Sequence, residues 1–283
     1  MNKNNKKNNR QKFLFSIDLE DVRMSIPDGE KYKDRLVINT EKYLEFLENI
    51  SSKCTFFVVG KVAQQYPDLI KRISSCGHEI ACHSMRHIPL NNLSPTEFEI
   101  DIKQNLDSLY DVGSTDVKGF RAPFFSLIKS TEWAYEILDK FGFEYSSSVL
   151  PAANPLYGWP NFGNYIKEVK NGIIEIPITL SRLPILNIPF SGGVYFRVLP
   201  FGLIRYLIRK ELKKTNYITG YFHPHDIDVD QEKFMYPGIN RNRFYNKLLH
   251  YNREQVFHRL TKIVKNISII PYKDFIENWK GNG

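Results

Sequence analysis

The chain has 283 residues, 42% of them hydrophobic, with a formal net charge of +8 and three cysteines. That length suits one α/β domain with a sizeable core, and with no apolar run of about 18 residues the sequence holds no membrane-spanning helix. The lysines and arginines are scattered rather than gathered into a stripe with stacking aromatics, which predicts no nucleic-acid partner. Cys54, Cys76 and Cys82 form no CxxC pair, as expected of free thiols in a reducing cytoplasm.

Residues 1–11 read as a disordered, basic Asn/Lys-rich tail, and 12–280 as a single domain. Residues 13–17 run straight into acids, so the start lacks an apolar stretch of signal-peptide length and a cytoplasmic location is expected. Lys12 to Ile17 predicts a strand, Thr40 to Ile50 a helix, and Cys54 to Val59 a buried strand. A helix over Pro67 to Ser75 has its proline in the first turn and stops at Gly77, before the apolar Ile80-Ala81-Cys82. Ser94, Pro95 and Glu97 supply a cap, a first-turn proline and an early acid for a helix running to Tyr110. Val117 to Phe120 predicts a strand, and Thr131 to Phe141 a helix ended by Gly142. From Pro151 to Pro200 the pattern breaks into loops around one strand, Ile173 to Ile178, read as the wall of a substrate site. Val198 to Lys214 predicts an amphipathic helix packed on the core, whose basic residues would also suit an anionic membrane surface. Tyr217 to Phe222 predicts a further strand.

Alternation of strands and helices predicts a parallel sheet with helical crossovers. No Gly-rich phosphate loop opens any helix, which favours a closed or incomplete barrel over an open nucleotide-binding sheet. Four polar clusters follow apolar strand-like runs: Asp18-Leu19-Glu20-Asp21, His83-Ser84-Met85-Arg86-His87, Arg121-Ala122-Pro123-Phe124-Phe125-Ser126 and His223-Pro224-His225-Asp226. In a parallel α/β architecture the strand carboxyl ends converge on one face, where sites are built. Two imidazoles four residues apart, sharing a face if the loop turns helically, and a carboxylate from another strand end are ligands for a divalent cation with a position left open.

These segments resemble the polysaccharide deacetylase family, the carbohydrate esterases built on a NodB-type domain, over residues 12 to 280. Asp18 to Asp21 looks like the acidic first motif, His83 to His87 the histidine motif, Arg121 to Ser126 the third, and His223 the last. A narrower similarity, at Ser191-Gly192-Gly193-Val194-Tyr195-Phe196-Arg197 and Tyr221-Phe222-His223-Pro224, is to the subgroup encoded with surface- and exopolysaccharide assembly genes. The resemblance implies a distorted (β/α) barrel of seven or so strands and an N-acetylated sugar substrate. Two departures stand out: Leu19 separates Asp18 from the next acids where many relatives have adjacent aspartates, and Ser146 stands where the subgroup tends to have an aspartate.

For the site, the resemblance implies a metal held by His83, His87 and one of Glu20 or Asp21. Zinc is the default for such a nitrogen-rich set, with cobalt, nickel or another first-row ion as substitutes. Glu20 shares a face with Asp18 on a regular strand, whereas Asp21 is free to turn inward if the strand has ended. Asp18 becomes the base, and Arg121 would hold it ionised. His223 becomes the general acid, with His225 chemically equivalent two residues on and Asp226 as an orienting partner. A backbone N–H near Pro123 to Phe125 would stabilise an oxyanion, and Phe124, Phe125, Trp159 and Tyr195 are candidates for substrate contact. The expected activity is removal of an N-acetyl or similar N-acyl group from an amino sugar. The expected partner is a carbohydrate, in a polysaccharide or in a lipid- or nucleotide-linked precursor at the inner membrane face. The alternatives are a cyclic amide or ureide hydrolase on the same fold, and a non-catalytic glycan-binding relative.

Overall fold

A computed structural model describes residues 10–154, 157–182, 187–236 and 239–281. Most of the tail expected over 1–11 therefore lies outside the described residues. Its last two residues are tied to the fold: the Arg10 guanidinium donates to the Val264 and Lys265 carbonyls, and Gln11 O accepts the Ser268 N–H.

The strands are β1 (Lys12–Leu19), β2 (Thr55–Val58), β3 (Glu79–Cys82), β4 (Gly119–Phe120), β5 (Tyr145–Ser146), β6 (Lys167–Glu168), β7 (Ile174–Glu175), β8 (Ser181–Arg182), β9 (Asn187–Ile188), β10 (Tyr217–Phe222) and β11 (Ser268–Ile270). The helices are α1 (Leu36–Asn49), α2 (Gly60–Gln65), α3 (Pro67–Ser75), α4 (Pro95–Asp111), α5 (Ala134–Lys140), α6 (Gly193–Val198), α7 (Phe201–Thr215), α8 (Arg243–Leu249), α9 (Val256–Val264) and α10 (Tyr272–Lys280). Nine strands form one curled sheet in the order β10-β1-β2-β3-β4-β5-β7-β6, with β11 paired to the start of β1. Every pairing in it is parallel except β6 with β7. The result is a half-barrel wrapped by helices, the distorted barrel expected from the sequence. Across its open side, Thr179 and Thr219 exchange backbone-to-hydroxyl hydrogen bonds of 2.7 and 2.8 Å.

β1 is buried on both faces, as a central parallel strand must be. Phe13, Phe15, Ile17 and Leu19 face the helices together with Phe56, Ile80, Phe120, Ile218 and Phe222. Leu14 faces the barrel interior with Phe57, Ala81, Tyr145, Tyr217 and Tyr272. This two-residue alternation decides which strand-end residues enter the site.

Helix ends follow local chemistry. α4 carries the predicted capping box between Ser94 and Glu97. α1 begins four residues earlier than Thr40 because Asp34 Oδ1 accepts the Leu36 N–H at 3.1 Å. α7 buries Ile204, Leu207, Ile208 and Leu212 against the core, the amphipathic arrangement predicted. The stretch from Pro151 to Pro200 holds more than one strand, since β6, β7, β8 and β9 are two residues each and too short to show a period. No helix among the described residues is long and apolar enough to cross a membrane.

Gly220 of β10 is where two layers nearly touch: a Cβ there would lie 2.4 Å from Phe13 Cε2 and 2.6 Å from the Ser191 carbonyl oxygen. Gly220→Ala should therefore overpack the seam and cost about 1–3 kcal/mol, read as a lower denaturant midpoint at unchanged slope.

Candidate active site

The strand carboxyl ends of β1, β3, β4 and β10 deliver the four predicted clusters to one mouth of the barrel. Asp18 and Glu20 keep the inward parity of Leu14 and Ser16, as His83 keeps that of Ala81 and His223 that of Tyr221. Asp21 turns the other way: it caps the short 3-10 turn Val22–Ser25 and is gripped by Arg23 through contacts of 2.6 to 3.1 Å. The structure thus brings Glu20, and not Asp21, to the two histidines.

Glu20, His83 and His87 place a carboxylate oxygen and two ring nitrogens within 4.8 Å of one another. The His83–His87 turn is not helical. Ser84 and His87 have φ of 61° and 56°, the Ser84 hydroxyl accepts the His87 N–H at 3.0 Å, and the two rings lie 4.9 Å apart. His83 is buried, and its Nδ1 donates to the Arg121 carbonyl at 2.8 Å, which leaves Nε2 with the lone pair. Burial pushes His83 down to about 4 against the opposing pull of Asp18, so the ring is neutral near pH 7. Burial pushes Glu20 up, but His87, 2.8 Å away, with His223 and His225, holds it well below the usual carboxylate range. A neutral imidazole with a fixed tautomer beside an ionised carboxylate suits the donor set of a first-row divalent cation.

Asp18 sits beside this group. Its Oδ1 accepts from Arg121 Nη1 at 2.5 Å, and its Oδ2 lies 4.0 Å from His223 Nε2. Arg121 is completely buried and also reaches the Ser16 hydroxyl, the Ser147 carbonyl and hydroxyl, and Tyr272 Oη. Its guanidinium lies 4.0 Å from the Phe57 ring centroid.

His223 faces Asp18 and Glu20, with Nε2 3.7 Å from Glu20 Oε1. Its Nδ1 donates to Asp226 Oδ2 at 2.9 Å, and the same oxygen accepts its backbone N–H. Burial would lower its pKa, but the Asp226 hydrogen bond with Glu20 and Asp18 outweighs burial and raises it to about 9. His225 stacks on His223 at 4.9 Å and is pushed down to about 3 by burial and by that neighbour. Ser146 hydrogen-bonds to Ser148 and takes no part in orienting His223.

Pro123 has no N–H, and those of Phe125 and Ser126 are bonded to the Ala122 and Pro123 carbonyls. The Phe124 N–H has no intramolecular partner among the described residues. Phe124 and Phe125 both adopt left-handed backbone, at φ of 56° and 54°. The Phe124 ring is 50% exposed and lies against His87, whereas Phe125 packs on Tyr221. Tyr195 is 40% exposed. Trp159 packs on Phe162 and the core. The sequence reading assigned no role to Ser16, Ser147, Tyr272 or Arg197. Of these, Ser16, two residues before Asp18 in an otherwise apolar run, and Arg197, at the end of the segment 191–197, each carried a signal in the sequence.

Residues 28–145 match the family model described as polysaccharide deacetylase, and residues 147–277 match a domain of unknown function (DUF3473). A peptidoglycan-N-acetylglucosamine deacetylase of Bacillus cereus is 30% identical over 98 residues, 34% of this chain and 36% of that protein. Chitin deacetylase 1 of Saccharomyces cerevisiae is 30% identical over 108 residues, 38% of this chain and 35% of that protein. The chain thus spans about a third of the length of these curated relatives. The crystal structure of a Mycobacterium smegmatis protein assigned to the polysaccharide deacetylases superposes with a TM-score of 0.62 at 18% identity, over 98% of this chain and 92% of that one. That likeness places the two on one fold.

A histidine whose folded pKa is raised contributes stability that is complete below its unfolded value, near 6.5, and is lost as pH climbs through about 9. In metal-free protein, ring NMR should show His223 titrating near 9. In Asp226→Asn its pKa should fall by more than a unit, because burial then acts with less opposition. An unchanged titration would remove Asp226 as the cause.

Proposed function

We propose, from the match of residues 28–145 to the polysaccharide deacetylase family model, that the chain is a metal-dependent hydrolase removing an N-acetyl or similar N-acyl group from an amino sugar. The sugar lies in a polysaccharide or in a lipid- or nucleotide-linked glycan precursor. The observation that carries the reading is the convergence at one mouth of a base held by a buried arginine, a three-residue donor set and a histidine paired with a buried aspartate.

Glu20, His83 and His87 would hold the cation, with zinc the first candidate for two nitrogens and an oxygen. Bound there, it would polarise the amide carbonyl and acidify water. Asp18 uses its free Oδ2 to take the proton from water as oxygen adds to the carbonyl carbon, while Arg121 holds Oδ1 and aims the carboxylate. The Phe124 N–H donates to the developing oxyanion. His223 Nε2 then gives a proton to the amine nitrogen as the C–N bond breaks, so that water is divided between acetate and amine. Phe124, exposed at the mouth, offers a face for a sugar ring, with Tyr195 as a second aromatic contact.

The three free cysteines fit a reducing cytoplasm, and the net charge of +8 would draw diphosphate-linked or lipid-linked precursors to the inner face of a membrane.

Protein purified without chelators should carry about one divalent ion per chain, lost in His83→Ala and His87→Ala, and should release acetate from chitotetraose. Asp18→Asn should lower that rate by about 100- to 10,000-fold with the metal retained. Faster opening of allantoin than acetate release would transfer the assignment to cyclic amides. A metal-loaded protein without turnover on either would be a glycan binder.

A further inference from the structure

The match over residues 147–277 carries no assigned function, and it contains Asp226, which holds the His223 ring, together with Arg197, which holds Asp226. We infer that this region builds the acid half of the site, with Arg197 as a positioning residue that acts on His223 through Asp226. The inference rests on the deacetylase reading above and deepens it.

Both oxygens of Asp226, a residue only 1% exposed, are committed. Oδ2 takes the backbone and ring N–H groups of His223, and Oδ1 takes Arg197 Nε at 3.0 Å. A carboxylate sealed from water needs a cation, or it takes up a proton or swings away. Arg197, itself 1% exposed, is that cation, and it has no freedom to turn. Its Nη1 donates to the Leu249 and Tyr251 carbonyls at 3.1 and 2.8 Å, and its own carbonyl accepts Asn252 Nδ2 at 2.8 Å. With the guanidinium anchored by the 249–252 segment, Asp226 is pinned. Asp226 in turn fixes the tautomer and the plane of His223, so that Nε2 points between Glu20 and Asp18.

The chain pattern around Arg197 follows from the same requirement. α6 has to lie against β10 for an arginine on it to reach the turn after that strand. A Cβ at Gly192 would fall 2.3 Å from the Tyr221 carbonyl oxygen, and Gly193 has a φ of 51° with Tyr221 directly beside it. Glycine at both positions permits the approach, and Ser191 ties the segment down through its hydroxyl, which donates to the Thr219 carbonyl at 2.6 Å.

A proton donor matters in proportion to how badly the leaving group needs the proton. An amide nitrogen cannot depart without one, whereas the 4-nitrophenolate of 4-nitrophenyl acetate can. The test measures metal-loaded wild type, Arg197→Met and Arg197→Lys on chitotetraose and on 4-nitrophenyl acetate, with metal content and thermal midpoint recorded for each. The amide-to-ester rate ratio should fall roughly 100-fold in Arg197→Met and roughly tenfold in Arg197→Lys. A ratio within about threefold of wild type in a folded, metal-loaded variant would overturn the inference, because a purely structural arginine lowers both rates together. If Arg197→Met does not fold, Arg197→Lys and Asp226→Asn decide on the same ratio. A wild type that cleaves the ester and never the amide would instead sink the deacetylase reading, and the role of Arg197 with it.

Discussion

Arg121 is fully buried, and its charge has to be met from inside the barrel. Asp18 meets it at the end of β1, Ser16 takes a second hydrogen bond two residues earlier on the same face, and Ser147 and Tyr272 receive the rest. These partners come from β1, the segment after β5, and the start of α10, so one guanidinium ties both ends of the chain to the middle of the sheet. Phe57 beneath it supplies an aromatic face in place of water. The site inherits its order from this arrangement: the Arg121 carbonyl orients His83, and its side chain orients Asp18.

At the start of β3 a second buried carboxyl does similar work without chemistry. Glu79 accepts from the Thr55 hydroxyl at 2.5 Å, from Tyr145 Oη at 2.7 Å and from the Lys273 N–H at 3.0 Å. Burial pushes its pKa up, opposed by those hydrogen bonds. In the sheet register Glu79 lies level with Thr55 and Ser16, one inward position before the row of Asp18, Phe57 and Ala81 that leads to the charged mouth.

Much of this was legible because β-strand parity is a strong constraint. Four polar clusters after apolar runs placed the mouth, but the choice between Glu20 and Asp21 stayed open in the sequence because β1 ends at Leu19, and only the structure shows that the alternation Leu14, Ser16, Asp18 carries on to Glu20. What could not be read has physical causes. The His83–His87 pair meets through left-handed residues at 84 and 87, which no periodicity announces. The strands between 167 and 188 are two residues each and exist through their neighbours. Tyr272 lies 151 residues from Arg121 and reaches it only because β11 returns to β1. Arg197 stood in view beside its glycines, but its meaning depends on a turn 29 residues downstream.

The two buried arginines solve one problem with opposite results. Arg121 occupies a single oxygen of Asp18 and leaves Oδ2 open toward His223, so the carboxylate keeps an oxygen with which to accept a proton. Arg197 occupies one oxygen of Asp226 while His223 takes the other, so that carboxylate has nothing left to accept and can only orient its neighbour. Base and acid need these different surroundings, because one must gain a proton and the other must be aimed to lose one. Asp18 on β1 and Arg121 just after β4 belong to the first half of the chain, and His223, Asp226 and Arg197 to the second. The mouth between them exists only where β10 lies against β1, a pairing that runs from Lys12 opposite Tyr217 to Ile17 opposite Phe222. That register is what sets the 4.0 Å between Asp18 and His223, and a slip of one residue would turn one of them out of the barrel.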